Sequence, residues 1–131
     1  MDKKMLILGS FLGLTAVILG AFGAHGLKAL ILPEQITTFE TGVRYQMYHA
    51  LFLLVVGSLS SIDEKTKKVV FYLVLGGVLL FSGSIYGLAT NNLTGFNFKS
   101  VGFITPIGGL LLIISWFLLL LKFLKNKPEI S

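Results

Sequence analysis

Five polar residues crowd into one short stretch: Arg44, Tyr45, Gln46, Tyr48 and His49. Tyr45 and His49 are four apart, and Gln46 and His49 three apart, so on a helix these three share a face. Histidine titrates near neutral pH and can relay protons or ligate a metal. An ionisable residue within an apolar run is a candidate functional group. A plainer role competes with this one. Tyr and Arg anchor at headgroup depth, and His49 gives a neighbouring helix one structural hydrogen bond. No carboxylate falls inside an apolar run to serve His49 as relay partner, which favours the plainer role.

Two further groups carry chemical potential. His25, His49 and Glu40 supply the donor types of a two-histidine, one-carboxylate metal site, but their separations carry no ligand spacing. Neither a metal nor a cofactor is expected. Ser82, Ser84 and Tyr86 form the other group. A serine nucleophile needs a base in reach and an oxyanion hole, and neither a G-x-S-x-G nor a Ser-x-x-Lys pattern occurs here. Ser82 and Tyr86 therefore read as interhelical hydrogen bonders. The chain has no cysteine, which removes disulfides and thiolate chemistry. With no phosphate loop, zinc signature or paired carboxylate, an enzyme is not expected.

The elements that position these residues are dictated by hydropathy. The 131 residues are 54% hydrophobic and only 13% charged, with mean hydropathy +0.85. Soluble domains run near a quarter charged, and disorder requires low hydrophobicity, so both classes are excluded. Apolar runs occupy about 5–24, 45–61, 69–88 and 104–121. Backbone groups in hydrocarbon must be satisfied within their own segment, so such runs are helices. The expected architecture is all-α, a single membrane domain forming a four-helix bundle. Four spans take roughly 80 positions and leave no room for a soluble catalytic domain. Residues 34–44 are expected to form a short amphipathic lead-in outside or along the membrane, bending near Gly42. Pro33 opens it, Ile36, Phe39, Val43 and Met47 stripe it, and Glu40 and Arg44 are spaced to pair.

Lys3 and Lys4 before the first run resemble a signal-peptide start, but 20 apolar residues exceed a signal core. The run is expected to be retained. Eight of the eleven basic residues lie in the N-terminus, second loop and tail, and three in the other loops. The positive-inside rule then puts both termini in the cytoplasm. The clustering of these charges between apolar runs points to lipid headgroups rather than nucleic acid. Gly9, Gly13 and Gly20 line one face of the first run, and Gly83 and Gly87 repeat the spacing in the third. Small residues let membrane helices approach closely, within one bundle or between two copies of the chain. Asn91, Asn92, Thr94, Gly95 and Asn97 make the third loop turn-rich, and Asn92-Leu93-Thr94 fits a glycosylation sequon.

Four stretches in order resemble a known family: GAFGAHGL at 20–27, FETGVRYQMYHAL at 39–51, FSGSIY at 81–86 and ITPIGG at 104–109. Together they are similar to domain-of-unknown-function family 423, the YgdD/YwdK-like small bacterial membrane proteins. The resemblance runs from about Leu6 to Leu120. It implies four helices in a bacterial cytoplasmic membrane, with the first retained, and it transfers no catalytic role. It marks His25, Arg44, Tyr45, Gln46, His49, Ser82 and Tyr86 as motif positions. The chain departs at Ser115, where the family tends to have glycine before Trp116. The functional expectation is a non-enzymatic membrane protein supporting envelope integrity or a partner complex. The alternative is a small oligomeric transporter or proton-linked channel using the His25, Arg44 and His49 region.

Overall fold

A computed structural model describes residues 1–94 and 102–125. Helix α1 covers Asp2–Ala24, a proline-free and almost wholly apolar run. The chain turns at His25 into a single 3-10 turn, Leu27–Ala29. Pro33 then opens α2, Pro33–Ser58, at a position where its missing N–H leaves nothing unpaired. The Gln35 side-chain oxygen accepts from the Leu32 N–H at 2.9 Å and closes that first turn. Helix α3, Glu64–Ala89, is capped by Asp63, whose carboxylate accepts from the Thr66 N–H at 3.1 Å and from its hydroxyl at 2.7 Å. These Thr66 bonds, hydroxyl first, hold the Asp63 carboxyl down to about 2 against desolvation, with Lys122 adding to the effect. One turn, α4 at Asn91–Thr94, follows, and α5 covers Ile104–Lys125.

The four long helices run antiparallel in chain order, α1 on α2, α2 on α3 and α3 on α5. Small residues set each approach. A Cβ on Gly9 would lie 2.9 Å from the Ala50 carbonyl, and one on Gly23 would lie 3.0 Å from the Phe39 ring. The glycine face of α1 is therefore spent on α2. Gly42 lies under the Tyr86 ring, so α2 meets α3 there. The tightest crossing joins α3 to α5 at Gly77 and Gly108, where a Cβ on Gly108 would meet the backbone of Leu80 and Gly77 at 2.8 and 2.9 Å. A Cβ on Gly83 would meet nothing within 4 Å among the described residues. Met5, Leu53, Val56, Val70 and Val74 fill the core at one end, and Leu27, Phe39 and Ala89 seal the other. The outer surface carries exposed Ile7, Phe11, Leu14, Leu79, Ile113, Phe117 and Leu124. An outer surface this apolar suits hydrocarbon and is unlike the isolated exposed residues of a soluble domain.

Two boundaries differ from the sequence reading. Residues 34–44 are helical, but they are the first turns of an unbroken α2 rather than a separate surface helix. The reason is packing: Phe39 and Gly42 are buried between α1 and Tyr86. His49 therefore sits about 24 Å along α2 from Pro33. Helix α3 begins five residues before its apolar run, so Lys65, Lys67 and Lys68 are helical rather than loop residues. The Asp63 cap starts the helix there. Among the described residues three helical segments are long and apolar enough to cross a membrane, Asp2–Ala29, Glu64–Ala89 and Ile104–Lys125. Arg44, Gln46 and His49 keep α2 out of that set. The side chains of Asn92 and Thr94, and residues Gly95 and Asn97, lie outside the described residues, as does the sequon.

One end of the bundle is tied by ion pairs. The N-terminal amine meets Glu64 at 2.8 Å, Lys67 meets Asp2 at 2.9 Å and Lys122 meets Asp63 at 3.2 Å. The start of α1, the α2–α3 turn and the end of α5 are thus neighbours. Lys67 is only 3% exposed, and a charge that buried requires a partner.

Candidate functional site

Helix α2 packs against α1 and α3 and meets α5 through His49, and its polar residues sort by the neighbour they face. Gln46 points inward and is 4% exposed. Its amide nitrogen donates to the Leu12 carbonyl at 2.9 Å and to the Thr15 hydroxyl at 2.7 Å, both on α1. Its oxygen accepts from the Tyr86 hydroxyl of α3 at 2.6 Å. Thr15 in turn donates to the Phe11 carbonyl at 2.9 Å. One glutamine thereby joins three helices with both amide hydrogens and its carbonyl used. Ser82, one turn from Tyr86 on α3, donates to the Gly42 carbonyl at 2.8 Å. The Tyr86 ring also stacks on Phe39, with centroids 5.1 Å apart.

His49 faces the other way, toward α5. Its Nε2 lies 3.0 Å from the indole Nε1 of Trp116, and its Nδ1 lies 2.7 Å from the Tyr45 carbonyl. An indole N–H can only donate, so Nε2 accepts and Nδ1 carries the proton that goes to Tyr45. The ring is the neutral Nδ1–H tautomer, and both nitrogens are occupied. Phe52 packs on Trp116 at 4.3 Å between centroids and closes the core side of the pair. On the outer side a shallow groove of about 320 Å³ opens between Tyr45, Phe81 and Trp116. Ser84 of α3 bonds Thr105 of α5 at 2.5 Å, a polar link between those two helices. Ser115, the departure from the family pattern, is fully buried and donates to the Leu112 carbonyl of its own helix at 2.6 Å. Among the described residues no buried side-chain nitrogen or oxygen lacks a partner.

The structure brings Gln46, Ser82 and Tyr86 together and places Tyr45 and His49 on the α5 side of the same helix. It leaves the rest of the expected cluster apart. His25 is exposed at the end of α1, and Glu40 and Arg44 are exposed on the outside of α2. Arg44 does not pair with Glu40. It turns back one turn and donates to the Thr41 hydroxyl at 3.2 Å. His25, Glu40 and His49 do not assemble, because His49 is buried with both nitrogens engaged while the other two sit at the surface. Among the described residues no three of His, Asp and Glu gather as a metal site. Gly83 makes no close packing contact, contrary to its place in the expected packing stripe. Gly77 and Gly108 take that role, because α5 crosses α3 on their face.

Thr15, Trp116 and the Lys67–Asp2 pair were not singled out from sequence. A lone threonine in an apolar run was the available signal for Thr15. Nothing local in the sequence points Trp116 at a histidine 67 residues away.

An apolar exterior enclosing a saturated polar seam defines a small α-helical integral membrane protein. The particular family follows from comparison with known proteins. The family model described as "Protein of unknown function (DUF423)" matches residues 19–109, and the chain belongs to that family. It is 42% identical over 127 residues to the UPF0382 membrane protein YwdK of Bacillus subtilis, covering 94% of this chain and 98% of that one. A UPF0382 membrane protein of Haemophilus influenzae is 38% identical over 128 residues, covering 97% and 98% of the two chains. One from Staphylococcus epidermidis is 40% identical over 123 residues, covering 94% and 97%. No solved structure matches.

Proposed function

We propose that the protein is a non-catalytic component of the bacterial cytoplasmic membrane that supports envelope integrity or a partner complex. One observation carries this reading: every candidate reactive group inside the bundle is spent on holding helices together. Gln46 has its donors and acceptor filled, His49 has both nitrogens bonded, and Ser82 is bonded to a backbone carbonyl. A general base needs a free lone pair and a partner to act on. A proton path needs groups in sequence, whereas His25 and Arg44 lie on the exterior, away from His49.

In this reading all four long helices cross the membrane. Helix α2 runs alongside α1 and α3 over its length, so a bilayer crossed by those two is crossed by α2. The ion-paired end collects the N-terminus, the α2–α3 turn and the end of α5, and with them most of the basic residues. Both termini then face the cytoplasm.

A deletion strain tests the functional claim. Dye permeability is expected to rise and survival of envelope stress to fall, with both restored by the wild-type gene. Unchanged permeability and survival refute it. Proton flux in proteoliposomes between pH 5 and 8 that disappears with His49→Ala supports the transporter reading instead. Reporter fusions at the two termini read the orientation, and an outward-facing terminus overturns it.

A further inference from the structure

The ion-paired end has an unbalanced charge ledger. Its described carboxylates are Asp2, Asp63 and Glu64, and each already holds a cation. Lys3, Lys4, Lys65, Lys68 and Lys125 sit at the same end with no carboxylate at ion-pair distance among the described residues. One of these lysines, Lys68, borders a groove. Lys68 lines a trough of about 410 Å³ together with Val69, Tyr72 and Leu73 of α3 and Leu111 of α5. Lys65 lies three residues before Lys68 and so shares its face.

The trough is apolar apart from its lysine end, and it opens outward. Val69 is 43% exposed and Tyr72 is 53% exposed. On α3 the trough's lining reaches from Lys68 to Leu73, about 8 Å along the helix, from the charged end toward the hydrocarbon. An apolar channel that begins at a cation and descends into the bilayer has the outline of a phospholipid, phosphate first and acyl chain after. The headgroup sign follows from the charge ledger. A zwitterionic lipid would bring an ammonium group to a surface where each described carboxylate is already paired. An anionic lipid brings no such group.

We propose that this groove between α3 and α5 is a binding site for an anionic phospholipid. Lys68 and Lys65 hold the phosphate, and one acyl chain lies along Val69, Leu73 and Leu111. The proposal rests on the membrane placement above but not on which way the termini face.

Native mass spectrometry of the full-length protein in neutral detergent tests it, using phosphatidylglycerol and phosphatidylethanolamine of identical chains. The wild type is expected to retain phosphatidylglycerol preferentially. The Lys65→Gln/Lys68→Gln variant is expected to lose about fivefold in retention per lysine. Lys3→Gln/Lys4→Gln changes the same net charge elsewhere at that end and leaves retention intact. Leu73→Trp fills the trough, keeps both lysines and lowers retention. An unaltered helical circular dichroism spectrum shows that each variant is folded. Equal retention of the two lipids overturns the proposal, as does no loss in Lys65→Gln/Lys68→Gln or an equal loss in Lys3→Gln/Lys4→Gln. Detergent solution has no sides, so inverted reporter fusions with lipid selectivity intact refute the orientation alone.

Discussion

Replacing Gln46 by leucine tests the seam most directly. The substitution removes three interhelical contacts, to the Leu12 carbonyl, the Thr15 hydroxyl and the Tyr86 hydroxyl. Hydrogen bonds between membrane helices average about 0.6 kcal/mol, so three amount to about 2 kcal/mol. Leu12 and Thr15 keep bonds within α1, so their loss is mild. The Tyr86 hydroxyl loses its acceptor, and an unsatisfied buried group costs about 1–3 kcal/mol, taken at the low end because Tyr86 is only half-buried. Gln46→Leu is therefore expected to destabilise the bundle by about 3 kcal/mol. Tyr86→Phe alone strands the buried Gln46 oxygen and is expected to cost about 1–2 kcal/mol. In the double variant neither orphan exists. Its cost should fall short of the sum by about 2–3 kcal/mol, the coupling that a double-mutant cycle isolates. Equilibrium unfolding in mixed detergents can be followed by Trp116, the single tryptophan. It sits on α5 against His49 of α2 and reports their separation. Additivity within about 0.3 kcal/mol would mean that Gln46 and Tyr86 act independently, and the seam argument would fail.

Three further outcomes follow from close contacts and charge. Gly108→Ala places a Cβ against backbone atoms of α3 that cannot move aside, at a cost of about 1–3 kcal/mol in the same unfolding assay. Gly83→Ala enters open space and is expected to be neutral or to gain up to about 1 kcal/mol of helix propensity. Asp63 titrates lower in the folded protein, at about 2, than its ordinary 3.8. Its stabilising contribution is complete above pH 4 and is lost as the pH falls toward 2. Asp63→Asn should remove that part of the acid sensitivity, and an unchanged acid profile would show that the cap does not matter.

The legibility of this chain divides at the helix surface. The four apolar runs are readable because a backbone in hydrocarbon must bond within its own segment, so the length of the run sets the element. Gly9, Gly13 and Gly20 are readable as a packing face for the same local reason: helical spacing puts them on one side. Gln46, His49, Ser82 and Tyr86 stand out as polar groups in apolar surroundings. Their partners do not. Gln46 finds Thr15 only because α1 is offset to bring Leu12 beside it, and His49 finds Trp116 only because α5 crosses where glycines permit.

The amino-acid sequence by itself determined that the protein is helical and membrane-embedded, with its basic residues clustered between the apolar runs. Those properties depend on composition and on bonds made within single segments. Tertiary structure alone decided that α2 is one continuous helix, that Gly77 and Gly108 rather than Gly83 mark the tight crossing, and that Lys67 is buried on Asp2. These depend on the rotation and offset of each helix against its neighbours. Apolar side chains in lipid give no net preference for one rotation over another, so steric fit at small residues and a few hydrogen bonds select it.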